Sequence, residues 1–330
     1  MTTPPAPASS APHPNRGRIM SVTGPVDPST IGFTLPHEHL YGRFWEIDGR
    51  YDSPHLLDDD DVMAEELAAF QRQGGTCIVD QTLPDIGRKP ERLRGMAQRT
   101  GLTIVMGCGW YRRTYYLPDE GLERRTVQGL ADELVAEIIE GAGDTGIRPG
   151  LIGEIGAEKS WVSAIEERVH RAAGRAQRAT GLPLATHSRL SEVALDQLTI
   201  FEDEGADLSH VLVGHADSHA HLDYYLRVLA RGASLGFDNI GSPIGAGDVA
   251  GNRHHERIAR LIADLVERGF GGRILLSHDV CESFQLAYYG GIGFGYLADR
   301  FLPMLRALGL PQEAIDTMTI ENPRRWLTIR

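Results

Sequence analysis

Short apolar runs alternate with longer stretches of helical periodicity from Ile31 onward, and nothing else in the sequence constrains the fold so tightly. The runs fall at 32–36, 77–81, 103–108, 151–155, 184–186, 211–214, 234–239 and 273–277. Between them lie stretches such as "DDDDVMAEELAAFQRQGG" and "NRHHERIARLIADLVERGF". Gly74, Gly101, Gly181, Gly205, Gly232 and Gly269 stand where a helix C-cap precedes the next strand. Eight strand-then-helix units in succession predict an α/β fold, a (β/α)8 TIM barrel with parallel strands, because right-handed crossovers build such a sheet. A doubly wound open sheet is the alternative, and it needs a reversal of strand order that sequence does not display.

At 330 residues the chain accommodates one barrel of about 250 residues without a second domain, so residues 18–330 read as a single unit. The net charge of -12, with no basic run, argues against nucleic acid as a partner. No stretch approaches the ~20 apolar residues that cross a bilayer, so no membrane partner is expected. Cys77, Cys108 and Cys281 are scattered without a CxxC pair, which suits a reducing compartment. The opening "MTTPPAPASSAPHPNRGR" lacks the apolar core of a signal peptide, and residues 1–17 read as a disordered tail. The expectation is a soluble cytoplasmic protein.

In a barrel of this kind the chemistry sits at the C-terminal ends of the strands. The first run continues into "TLPHEHL", where His37 and His39 share one face of a strand and Glu38 turns the other way. Two imidazoles side by side make half of a metal site. The fourth run, "GLIGEIG", buries Glu154. The fifth ends in His187, the sixth in His215, and the eighth in Asp279. Each has an ordinary explanation taken singly: a salt bridge from Glu154 to an arginine, satisfied core histidines, a helix N-cap at Asp279. Together, four histidines and two carboxylates at the ends of five strands point to metal. Other histidines do not join them. His219 and His221 fall at a helix start with Asp217 or Ser218 as its cap. His254, His255 and His278 read as surface residues or as neighbours of the ligands.

Six stretches, "VTGPVDPSTIGFTLPHEHL", "ATHS", "VGHADSHAHLDY", "LGFDNIG", "LLSHD" and "ENPRRWL", give the chain a resemblance to the phosphotriesterase family of the amidohydrolase superfamily, from about Val22 to Leu327. The resemblance implies a metal-dependent hydrolase with two divalent metal ions, Zn2+ the first choice and manganese, cobalt or iron also fitting. By it, His37, His39 and Asp279 bind one ion, His187 and His215 bind the second, and Glu154 bridges. The best-known phosphotriesterases bridge with a carboxylated lysine, but the lysines here are Lys89 and Lys159, neither on strand four. The chain is therefore similar to the branch that bridges with glutamate.

The implied chemistry is attack of a hydroxide, held between the two ions, on a carbonyl or phosphoryl centre, with Asp279 accepting and returning the proton. Similarity to lactone-hydrolysing relatives implies that Tyr111 leans over the metals. Tyr115 and Tyr116 stand equally for barrel-mouth packing. Asn239 stands where some lactonase relatives carry arginine. Arg112 and Arg113 offer a site for one carboxylate or sulfonate, or are simply solvated. The loop "YYGGIGFGYL" after strand eight reads as a lid or substrate loop and not as a dinucleotide cradle. The leading expectation is hydrolysis of a lactone or carboxyl ester, followed by an N-acyl amide and then a phosphotriester, with a non-catalytic metal-binding barrel as the alternative of another class. The expected partner is a small-molecule substrate, with a homodimer allowed.

Overall fold

The structure, a computed structural model, describes residues 13–43, 56–117, 121–242 and 252–330. Eight strands, β1 (Phe33–Glu38), β2 (Gly75–Asp80), β3 (Thr103–Cys108), β4 (Leu151–Gly156), β5 (Leu184–His187), β6 (Val211–Val213), β7 (Ser234–Phe237) and β8 (Ile274–Leu276), form one sheet. Neighbours in the chain are neighbours in the sheet, and every pair is parallel. An unreversed strand order rules out the doubly wound sheet. The helices that return the chain are α1 (Asp60–Arg72), α2 (Pro90–Thr100), α3 (Val127–Glu140), α4 (Ala164–Thr180), α5 (Ala194–Asp203), α6 (Leu222–Ala230), α7 (Asn252–Glu267) and α8 (Leu302–Ala307). The result is a TIM-barrel-like α/β fold.

Local chemistry explains the helix ends. The Asp59 carboxylate accepts from the N–H groups of Asp61 and Val62 at the start of α1, and Ser163 with Glu166 forms a capping box on α4. Gly101 and Gly181 close α2 and α4 at φ 76° and 70°, a backbone region that a side chain disfavours. Strand alternation then sorts the core. Cys77, Val79, Val105, Leu151, Ala185 and Leu212 cluster inside the barrel, whereas Ile78, Ile104 and Ile152 pack outward under the helices. An N-terminal antiparallel hairpin, Ile19–Ser21 with Gly24–Val26, and the helix Asn322–Leu327 close the floor with Ile19 and Trp326.

No strand ladder joins β8 to β1 among the described residues; the seam closes just beyond the strands. Asp279 N–H donates to His37 O (3.2 Å) and His39 N–H to Val280 O (3.1 Å). Glu38, fully buried, supplies the rest. Its Oε1 accepts from Ser277 Oγ (2.8 Å), His278 N (2.9 Å) and His278 Nδ1 (2.8 Å), and its Oε2 accepts from Val280 N (2.8 Å). Leu297 N–H donates to His278 Nε2 (2.9 Å), so the proton of that ring sits on Nδ1. His278 is thus a buried seam residue and not a surface one. His255 is buried as well, its Nε2 accepting from Gly241 N (2.9 Å).

The expected disordered tail, residues 1–17, lies outside the described residues as far as residue 12. Residues 13–17 form a turn, tied to the C-terminal segment by Gly17 N–H to Ile329 O (2.8 Å). No helix among the described residues is long and apolar enough to cross a membrane.

Candidate metal centre

His37, His39, Glu154, His187, His215 and Asp279 meet at the C-terminal mouth of the barrel. Glu154, on β4, lies at the middle: its Oε2 is 3.0 Å from His187 Nδ1, 3.2 Å from His215 Nε2 and 3.4 Å from His37 Nε2, and its Oε1 is 3.5 Å from His39 Nε2. Asp279 Oδ1 stands 3.2 Å from His39 Nε2 and 3.7 Å from His37 Nε2. Four imidazoles, and no arginine among the described residues, surround Glu154, so the salt-bridge explanation fails. Two groups of three donors result, His37 with His39 and Asp279, and His37 with Glu154 and His215, each within 4.8 Å. His215 and Asp279 both leave their strands in left-handed backbone, φ 56° and 54°, an arrangement that costs about 1–3 kcal/mol per residue and clusters at functional sites. Asp279 is therefore no ordinary helix cap.

The arrangement fits a pair of divalent cations by its own chemistry. His37 Nε2 is buried without a hydrogen bond, and a buried lone pair or N–H in that state calls for a partner. The opposite ring nitrogens are already held. Asp238 binds His37 Nδ1 through Oδ2 and His215 Nδ1 through Oδ1, each at 2.8 Å, and His39 Nδ1 meets Thr82 Oγ1 at 2.9 Å. A carboxylate on Nδ1 fixes the tautomer and leaves Nε2 free to ligate, the usual support of a metal-binding histidine. His187 differs by turning Nδ1 to the centre.

Asp238 is the functional residue that the sequence reading missed. It ends β7 where the other strands carry ligands, so the strand-end argument applied to strand seven would have found it. Asp217 is a correction. It does not cap a helix, since α6 starts only at Leu222; instead it is buried and accepts from Asn239 N (2.8 Å) and Asn239 Nδ2 (2.9 Å). Ser218 Oγ donates to His215 O (2.7 Å), another contact that fixes the end of β6.

Electrostatically the cluster is a set of opposed charges. Burial would raise the Glu154 carboxyl, but the charge of His37 and the hydrogen bonds from His187 and His215 bring it well below the usual range. Burial opposes the charged forms of His39 and His215, yet the carboxylates around them lift these to about 9 and about 10. His187 is pushed down to about 3 by burial and by the charge of His215. Burial and the charge of Asp238 push Asp217 up to about 7. Protons thus occupy places in this cluster where cations are favoured.

At the mouth, Tyr111 is buried with its hydroxyl 3.2 Å from His187 Nδ1, and burial holds its phenol well above the ordinary value. Tyr115 packs beside it, ring centroids 5.2 Å apart. Arg112 lies over both rings and pairs with Glu158 at 3.2 Å. Arg113 is exposed. The loop after β8 is pinned to α1, where Glu66 Oε1 accepts from Tyr288 N (2.7 Å), although Tyr288 and Tyr289 are exposed.

Residues 17–327 match the phosphotriesterase family. The phosphotriesterase homology protein of Escherichia coli (strain K12) is 34% identical over 295 residues, which cover 89% of this chain and 97% of that protein. The N-acetyltaurine hydrolase of Homo sapiens is 30% identical over 354 residues, covering 95% of this chain and 99% of that one. A lactonase from Listeria monocytogenes has the same fold, with a TM-score of 0.86 at 26% identity over 95% of this chain and 99% of its own. A match that spans the barrel from its floor hairpin to its closing helix leaves one assignment: the chain belongs to the phosphotriesterase family of metal-dependent hydrolases.

Proposed function

We propose that the protein hydrolyses a carboxyl derivative, with N-acyl amides first and lactones or carboxyl esters second, using two divalent ions held by His37, His39, Glu154, His187, His215 and Asp279. The observation that carries this reading is the convergence of four imidazoles on Glu154 at the barrel mouth, with Asp279 beside His37 and His39. Zinc is the first choice because nitrogen and carboxylate donors suit it. Ions bound there would supply Lewis acidity and bring the pKa of water toward neutrality.

The chain's own groups do the rest. Asp279, with 14% of its side chain exposed, is the ligand most open to substrate, and its carboxylate is placed to take a proton from water and return it to a leaving group. Tyr111 remains an O–H donor at neutral pH because burial disfavours its phenolate, so it can orient a substrate oxygen. The apolar wall of Leu83, Ile86 and Tyr111 excludes water from one side. Relatives named for N-acetyltaurine hydrolysis support the amide, and the lactonase supports the second reading.

The test is a side-by-side kinetic comparison of N-acyl amides, lactones, carboxyl esters and paraoxon-like triesters on one metal-loaded preparation. A carboxyl derivative should exceed the triesters by at least about 10²-fold in kcat/KM, a gap of roughly 2.7 kcal/mol in transition-state binding. Efficient triester cleavage without carboxyl turnover would overturn the proposal.

A further inference from the structure

The N-terminal ends of the strands, at the face of the barrel opposite the metal centre, carry a cluster of cations. Ser209, Gly232 and Gly272 stand two residues ahead of β6, β7 and β8 respectively. An arginine is tied to each of the three. Arg330 Nη1 donates to Ser209 Oγ (2.6 Å), Arg273 Nη1 to Gly232 O, and Arg325 Nη2 to Gly272 O and to Asn322 Oδ1 (2.6 Å for the last). These arginines line one cavity of about 210 Å³, with Ser234 and Trp326 in its wall and no acidic side chain among the described residues that enclose it.

Asp207 pairs with Arg330, whereas Arg273 and Arg325 have no ion pair among the described residues. Burial and the charges of Arg273 and Arg330 lower the Arg325 guanidinium from its ordinary value, with Glu321 opposing them. Like charges crowded in this way are costly until an anion joins them. The donors are also incomplete. Carbonyl contacts occupy one terminal nitrogen of Arg273 and one of Arg325, and a guanidinium carries five N–H groups. Ser234, only 7% exposed, makes no side-chain hydrogen bond among the described residues, and the Trp326 indole Nε1–H is buried without an acceptor. Buried donors of this kind call for a partner. We propose that this cavity binds a phosphate group, free or as the head of a phosphate monoester. Two unpaired guanidiniums suit its double negative charge, and their forked N–H groups match its oxygens. No residue of the cavity belongs to the metal centre, so the site is separate from the hydrolytic reaction and independent of its substrate.

A pair of divalent ions also attracts phosphate, so the experiment separates two sites. Calorimetric titration of zinc-loaded protein with inorganic phosphate should show two binding steps, one at the metals and one at the floor. Glu154→Gln, which loses metal, should lose the first step and keep the second. Arg325→Gln and Arg273→Gln should each weaken the second step about 10- to 100-fold while keeping the first step and the full metal content. Arg325→Lys should retain part of the second step because it keeps the charge. Glycerol 3-phosphate, titrated beside inorganic phosphate, tells the two sources apart: tighter binding at the floor identifies a monoester, and weaker binding the free ion. A single step that vanishes in Glu154→Gln, or that survives unchanged in both Arg325→Gln and Arg273→Gln, overturns the assignment. If Glu154→Gln fails to fold, the two arginine variants decide alone.

Discussion

His187 Nδ1 and His215 Nε2 face each other at 2.7 Å, with Glu154 Oε2 within 3.2 Å of both. Two imidazole nitrogens aimed at one carboxylate oxygen need a proton or a cation between them. Protein purified without chelator should carry close to two divalent ions per chain by elemental analysis. A reproducible value of one or none, even after zinc or manganese is supplied, would sink the dinuclear reading.

Glu154→Gln keeps the shape of the bridge and removes its charge, so metal content and turnover should collapse together. Bicarbonate should not activate the wild-type protein, because β4 offers no lysine to carboxylate. Activation of metal-free protein that requires bicarbonate would contradict the glutamate bridge.

Asp238→Asn should loosen metal by about 10- to 100-fold, the usual worth of a supporting carboxylate. Asn presents one acceptor and one donor where Asp presents two acceptors. One of His37 and His215 would then carry its proton on Nε2, where the metal should bind. Competition against a calibrated chelator measures the loss; unchanged affinity would remove Asp238 from the centre.

Asp279→Asn still offers an oxygen, so metal should remain in part, while turnover falls by about 10²–10⁴-fold, the typical worth of general acid–base catalysis. Near-normal turnover at full metal occupancy would show that the proton goes elsewhere.

A stability prediction comes from His170, behind β5. Its Nδ1–H donates to Glu166 O (2.7 Å), Gln197 Nε2 donates to its Nε2 (3.0 Å), and burial pushes it down to about 4. The unfolded chain, with histidine near 6.5, takes up the proton first as pH falls. Stability is therefore full above pH 6.5 and declines between 6.5 and 4, by roughly 3 kcal/mol if this one group acts alone. Denaturant unfolding of His170→Gln should show a visibly flatter acid limb than the parent, and an identical limb would refute the assignment.

The sequence was most legible where one residue type repeats at one place in the fold. The ligands could be read because strand ends recur, and a pair at i and i+2 announces its shared face. Asp238 is less legible because "LGFDNIG" offers two polar residues in succession, Asp238 and Asn239, at the end of one strand. Asp217 misled because Asp-Ser ahead of an amphipathic run is an ordinary capping signal, and only the three-dimensional path shows the helix starting later. Glu38 was correctly turned away from the metals, but its task depends on β8 arriving beside β1, a meeting that no local pattern records.

That seam also sets an order of assembly. Glu38 and His278 are 240 residues apart in the chain, and His37 and His39 need Asp279 from the same far strand. Glu154, His187 and His215, by contrast, fall within 61 residues. During synthesis the second set of donors can come together while the eighth strand is still unmade, whereas the first set has no carboxylate from the closing strand until the barrel is nearly complete. A nascent chain thus takes shape around a half-built centre, and its final charge arrives with the strand that shuts the ring.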